Sequence, residues 1–168
     1  ERTGPAVQRL LDAGAMVVGK TNMDQFAVGL VGVRSPYGIA RNAFDPAFVP
    51  GGSSAGSGVA VAAGLVSFAL GNDAAGSGRV PAAFNNVVGV KPTPGLVSNT
   101  AVVGGGTAKS LETISVLALT TEDGMEVLRL IAGYDPDDLF SKTEARHCDL
   151  STRPVPEHFR FAVPKASD

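Results

Sequence analysis

The sequence predicts an α/β layered fold, and three observations carry that prediction. Segments with helical and with strand-like apolar patterning alternate along the chain. Hydrophobic residues make up 44% of the 168 positions and charged residues 18%, enough apolar surface for one buried core and too little charge for a disordered chain. Sixteen of the 21 glycines fall between Gly29 and Gly106, among Ser, Ala and Val, which is the texture of close backbone packing and not of a flexible linker.

Taken in order, the first element is a helix from about Ala6 to Ala13, with Val7, Leu10 and Leu11 on one stripe and Gln8, Arg9 and Asp12 opposite. Gly14 supplies its stop. Ala15 to Gly19 is an apolar run of strand length, and Lys20 to Phe26 opens with turn and cap residues, as the start of another short helix does. Val59 to Ala63 reads as helix and Leu65 to Leu70 as strand. Further strands are predicted at Val87 to Val90 and Ser115 to Thr120, with a helix at Glu122 to Ile131 whose Met125, Leu128 and Ile131 share a face. Residues 135–156 form a polar, proline-containing excursion before a last strand at Phe159 to Val163.

Composition excludes several functions. A formal net charge of -2 with no basic run leaves nothing to neutralise phosphates, so nucleic acid is not expected as a direct partner. No apolar run reaches the roughly 18 residues that span a bilayer, and the first residues lack a leader pattern; no membrane partner is expected, and the cytoplasm is. Cys148 is the one cysteine, so it is read as a free thiol that makes neither a disulfide nor a zinc site. No metal and no cofactor are expected. The two histidines, His147 and His158, lie in the polar tail and are read as solvated, and Tyr37 is read as a packing residue.

Two short motifs fail on inspection. Gly71 to Gly76 has the G-x-x-x-x-G spacing of a phosphate loop, but Ser77 and Gly78 stand where the Lys and Ser/Thr of that loop belong. Gly52-Ser53-Ser54-Ala55-Gly56 is formally G-x-S-x-G, yet the segment before it holds Pro46 and Pro50 in place of the buried strand a nucleophile elbow requires.

Read together, GGSSAGSG (Gly51 to Gly58) and GNDAAGSGR (Gly71 to Arg79), with Ser53 and Ser77 24 positions apart, resemble the amidase signature family. The likeness extends upstream to GKTNMDQF (Gly19 to Phe26) and downstream to VKPTPGLVS (Val90 to Ser98), covering roughly residues 5–135. Within the family the chain is most similar to allophanate hydrolases, through Gly29 to Gly38, Ala75 to Asn86 and Phe159 to Pro164, and less so to the A chain of glutamyl-tRNA amidotransferases. The resemblance implies an amidase-signature fold, with a mixed β-sheet core covered by helices on both faces. Residues 1–168 would be part of one such domain, with its motif core at 19–98.

The resemblance also implies roles. Ser77 corresponds to the nucleophile and Ser53 to a bridging serine beside a cis peptide. A hydroxyl is a poor nucleophile until a base takes its proton, and a second hydroxyl, both donor and acceptor, can pass that proton on to an amine. Backbone N–H groups of Ala74, Ala75, Gly76 and Ser77 would receive the oxyanion, with Asp73 and Arg79 supporting the loop. The family's catalytic lysine falls upstream of position 1, so the chain is expected to be an internal portion of a longer enzyme; Lys20 could replace that base only as a buried amine. Asn72 and Ala74 stand where the family usually has Thr, and Gly104 to Ala108 replaces a segment that in allophanate hydrolases is less flexible and carries a cysteine. The expected substrate is a small urea-derived amide such as allophanate. A homodimer formed through other parts of the chain, a glutamyl-tRNA amidotransferase component and a non-catalytic remnant are the alternatives kept open.

Overall fold

The computed structural model describes residues 3–102, 110–143, 150–151, 154 and 156–163. Its centre is β3 (Thr113–Ala118), buried at every position. β1 (Phe68–Asp73) and β2 (Val88–Val90) flank it in the order β1-β3-β2, both antiparallel to it. The sheet expected to be mixed is therefore antiparallel throughout its described strands. β1 and β2 run the same way and are joined by a helix, but β3 occupies the place between them, so they never become neighbours.

Period-two alternation along β3 builds a core on each face. Ile114 and Val116 point to a cluster with Ala6 and Leu10 of α1 (Pro5–Asp12) and Val127, Leu128 and Ile131 of α4 (Thr121–Ile131). Leu117 points the other way, to Val61 of α2 (Ala55–Ala62) and Ala82 of α3 (Arg79–Phe84). Helices thus cover both faces, as the resemblance implies.

Local chemistry explains the ends of these helices. Pro5 stands in the first turn of α1, where its missing N–H costs nothing. The buried stripe of α1 is Ala6 and Leu10, while Leu11, expected on it, is exposed. Thr120 caps α4 by accepting Asp123 N–H at 3.1 Å. Arg9 donates to the Ile131 carbonyl at 2.9 Å and the Tyr134 carbonyl at 3.2 Å, satisfying acceptors at the other end of α4 and tying α1 to it.

Three expected elements are absent from the described residues. Ala15 to Gly19 forms no strand, and Met16, Val17 and Val18 are exposed. Lys20 to Phe26 contributes only the start of a short 3-10 turn, Gln25–Ala27. Phe159 to Val163 is exposed and irregular. The two apolar runs, Ala15 to Gly19 and Phe159 to Val163, pair with no strand among the described residues. The segments containing Gly104 to Ala108 and His147-Cys148 lie outside the described residues.

Leu117, fully buried beneath α2 and α3, gives the first test. Leu117→Ala leaves a cavity under both motif helices and is expected to lower stability by about 2–5 kcal/mol, read as a shifted urea midpoint with an unchanged slope.

Candidate active site

Both glycine and serine motifs stand at the start of a helix on one side of the sheet. Gly51 to Ser54 leads into α2, and β1 runs through Asp73 into a turn that leads into α3. The predicted strand at Leu65 to Leu70 is thus displaced: its last residues belong to the nucleophile motif itself, so Ser77 sits on a strand-turn-helix corner. Ser54 N–H donates to the Ser77 carbonyl at 3.0 Å and joins the two motifs directly. The Ser54 hydroxyl accepts Asn72 N–H at 3.2 Å.

Asp73 organises the second motif. It is fully buried, and its Oδ1 accepts Gly76 N–H at 2.8 Å and Arg79 Nη2 at 3.0 Å. Its Oδ2 accepts Gly78 N–H at 3.1 Å, Arg79 N–H at 3.1 Å and Arg79 Nε at 3.0 Å. Burial works against the charge, but the Arg79 guanidinium and the backbone donors of Arg79, Gly76 and Gly78 outweigh it and hold the carboxyl below its ordinary range. The same contact raises the Arg79 pKa. The expected pairing of these two residues is present.

The turn so formed selects which N–H groups remain available. The Gly76 N–H, expected among the oxyanion donors, donates to Asp73 Oδ1 at 2.8 Å in this structure. The N–H groups of Ala74, Ala75 and Ser77 donate to no acceptor among the described residues. Gly76 itself has φ +129°, a conformation that residues with a side chain rarely adopt.

Ser77 is 6% exposed and its hydroxyl makes no hydrogen bond among the described residues. The Gly52–Ser53 peptide is cis. Ser53 is fully buried, and its Oγ has no partner among the described residues, so the two serine hydroxyls are not hydrogen-bonded to each other. Lys20 is exposed, contrary to the buried amine a base would have to be. Asn72, one of the two departures from the family pattern, leaves its Oδ1 buried without a partner among the described residues. His158 is exposed, as expected, while Tyr37, expected to pack, is 89% exposed.

Asp24 is the residue sequence reasoning missed. It is fully buried; its N–H donates to the Ser53 carbonyl at 2.9 Å, Oδ2 accepts Gly32 N–H at 2.9 Å and Oδ1 accepts Arg34 N–H at 2.7 Å. A Cβ added to Gly52 would lie 2.2 Å from Asp24 Oδ2, so glycine is required there for the carboxylate to reach. An acidic residue inside a turn-rich apolar segment was the available signal. Among the described residues no group of three or more His, Cys, Asp or Glu is placed to hold a metal, and no helix is long and apolar enough to cross a membrane.

The corner after β1 thus holds a buried serine, with a second buried serine in the adjoining motif and backbone donors left open in the turn. The chain belongs to the amidase family, whose model matches residues 3–168. It is 54% identical to the urea amidolyase of Saccharomyces cerevisiae over 132 residues, 79% of this chain and 7% of that protein. It is 51% identical to the A chain of the glutamyl-tRNA(Gln) amidotransferase of Methanosarcina acetivorans, over 82% of this chain and 29% of that one. Among solved structures, a selenomethionine-substituted Kluyveromyces lactis allophanate hydrolase superposes with TM-score 0.80 at 48% identity, covering 84% of this chain and 23% of that one. The corresponding amidotransferase chain of Thermotoga maritima gives 0.81 at 41% identity, covering 85% and 31%. The chain thus spans less than a third of the length of each.

The Asp73 clamp gives a pH test. Its pKa is lowered in the folded state, so its stabilisation is present above the ordinary value of 3.8 and is lost as pH falls through the lower folded value. Asp73→Asn is expected to cost about 1.5–3 kcal/mol at pH 7, the range for a hydrogen bond to a charged group, because the half-exposed guanidinium re-solvates. It is also expected to flatten the acid limb below pH 3.8 in denaturation monitored against pH.

Proposed function

We propose that this chain carries two of the three catalytic groups of an amidase that hydrolyses a small urea-derived amide such as allophanate. Ser77 is the nucleophile, Ser53 its proton relay, and a lysine outside these 168 residues the base. The observation that carries the reading is the turn after β1, where Asp73 takes up the backbone donors of Gly76, Gly78 and Arg79 and leaves those of Ala74, Ala75 and Ser77 without acceptors beside the Ser77 hydroxyl.

The steps follow from those groups. Ser77 Oγ attacks the amide carbon as its proton passes through the Ser53 hydroxyl to the lysine amine. The tetrahedral oxyanion is received by the open N–H groups, each such donor being worth about 10²–10³ in kcat. The C–N bond breaks with the proton delivered to the leaving nitrogen, and water then hydrolyses the acyl ester on Ser77 by the same proton route in reverse. Ser53 Oγ, buried without a partner, supports the relay: a buried hydroxyl is nearly always paired, and the proposed amine supplies that pairing. The likeness to urea amidolyase and allophanate hydrolase supports the substrate class.

A second reading, a component of a glutamyl-tRNA amidotransferase, is favoured by the 51% identity to the Methanosarcina acetivorans chain. Amide hydrolysis by the full-length protein without a partner separates the two.

In mass spectrometry of the full-length protein treated with a fluorophosphonate, a single adduct on Ser77 is expected. Ser77→Ala should abolish it and lower kcat by on the order of 10⁶, as for other serine nucleophiles; Ser53→Ala should slow both labelling and turnover. Label on any other residue sinks the assignment, and the absence of label points to a non-catalytic remnant.

A further inference from the structure

Leu30 bonds the first motif and has its side chain near the second. The Leu30 carbonyl accepts Gly52 N–H at 2.8 Å, one position from Ser53. A methyl group placed on Gly76, one position from Ser77, would lie 3.6 Å from Leu30 Cδ2 and 3.2 Å from Val80 Cγ2, so both side chains lie near the nucleophile turn. The main chain around Leu30 is pinned by Asp24, through Gly32 N–H and Arg34 N–H. Despite this anchoring, and despite being apolar, the Leu30 side chain is 42% exposed. A rigidly held backbone that presents an open aliphatic tip next to a nucleophile has the geometry of a pocket wall.

We infer that Leu30 is a specificity-determining residue: it packs on the substrate substituent that lies over Gly76 and sets how large that substituent can be. The inference rests on the reading of Ser77 as nucleophile. An aliphatic wall discriminates by volume, and one methylene more or less in such a contact shifts selectivity by about 10–200-fold. Leu30 is better suited to this than Val80, which is half-buried and part of α3, because Leu30 belongs to neither core cluster and can be changed without opening one.

The test uses the full-length protein with Leu30→Ala and Leu30→Trp, assayed on two series of linear amides, one lengthened on the acyl side and one on the amine side. Leu30→Ala is expected to raise the ratio of kcat/KM for the longest over the shortest member by about tenfold in one series, and Leu30→Trp to lower it in the same series. Whichever series moves identifies the substituent over Gly76. Ratios that move in neither series, while Ser77 still takes a fluorophosphonate label in both variants, overturn the inference. An unlabelled Ser77 in the unmutated protein overturns the nucleophile reading instead, and this one with it. Unchanged thermal melting of the variants shows that a shift in selectivity does not come from unfolding.

Discussion

Five donors converge on the Asp73 carboxylate, and the shape of the nucleophile turn follows from that convergence. An isolated carboxylate buried at this depth would cost several kcal/mol. Its burial is tolerated because the turn wraps back and supplies N–H groups from Gly76, Gly78 and Arg79. What remains of the turn is set by subtraction, since the N–H groups of Ala74, Ala75 and Ser77 are those the carboxylate does not reach. A scaffold contact therefore decides which donors are left for chemistry. The extended path of β1 puts Asp73 on the face towards α2 and α3, the same face as Ala69.

Asp24 does for the first motif what Asp73 does for the second. One carboxylate gathers Gly32 and Arg34, while the same residue's N–H holds the Ser53 carbonyl. Each serine is thus positioned by a nearby buried acid through main-chain hydrogen bonds. Main-chain contacts persist whatever the side chain at the serine, and they are shorter-ranged and stiffer than contacts between long side chains.

How far the sequence disclosed this depends on the range of the interactions. The motifs and the Asp73–Arg79 pairing were legible because they are local: each motif spans at most nine residues, and the pair lies inside one of them. α4 was legible for the same reason: of the expected stripe Leu128 and Ile131 are buried and Met125 is partly buried against the same cluster, while the buried Val127 beside them was not part of that reading. The antiparallel order β1-β3-β2 was not, since α3 and β2 separate β1 from β3 along the chain and nothing local encodes that β3 inserts between its neighbours. Asp24 went unread because its partners, Gly32, Arg34 and Ser53, are spread along the chain. The run at Met16 to Val18 shows the converse: strand propensity without a partner produced no strand.

The Ser54–Ser77 hydrogen bond has a consequence for how the site tolerates change. Ser77 contributes only its carbonyl to that contact, Ser53 only its carbonyl to Asp24, and neither hydroxyl bonds any described residue. Fold and reaction are therefore written in different atoms of the same two residues. No hydrogen bond of the frame depends on their hydroxyls, so a sequence can lose the reactive oxygen while the main-chain contacts that display it remain in place.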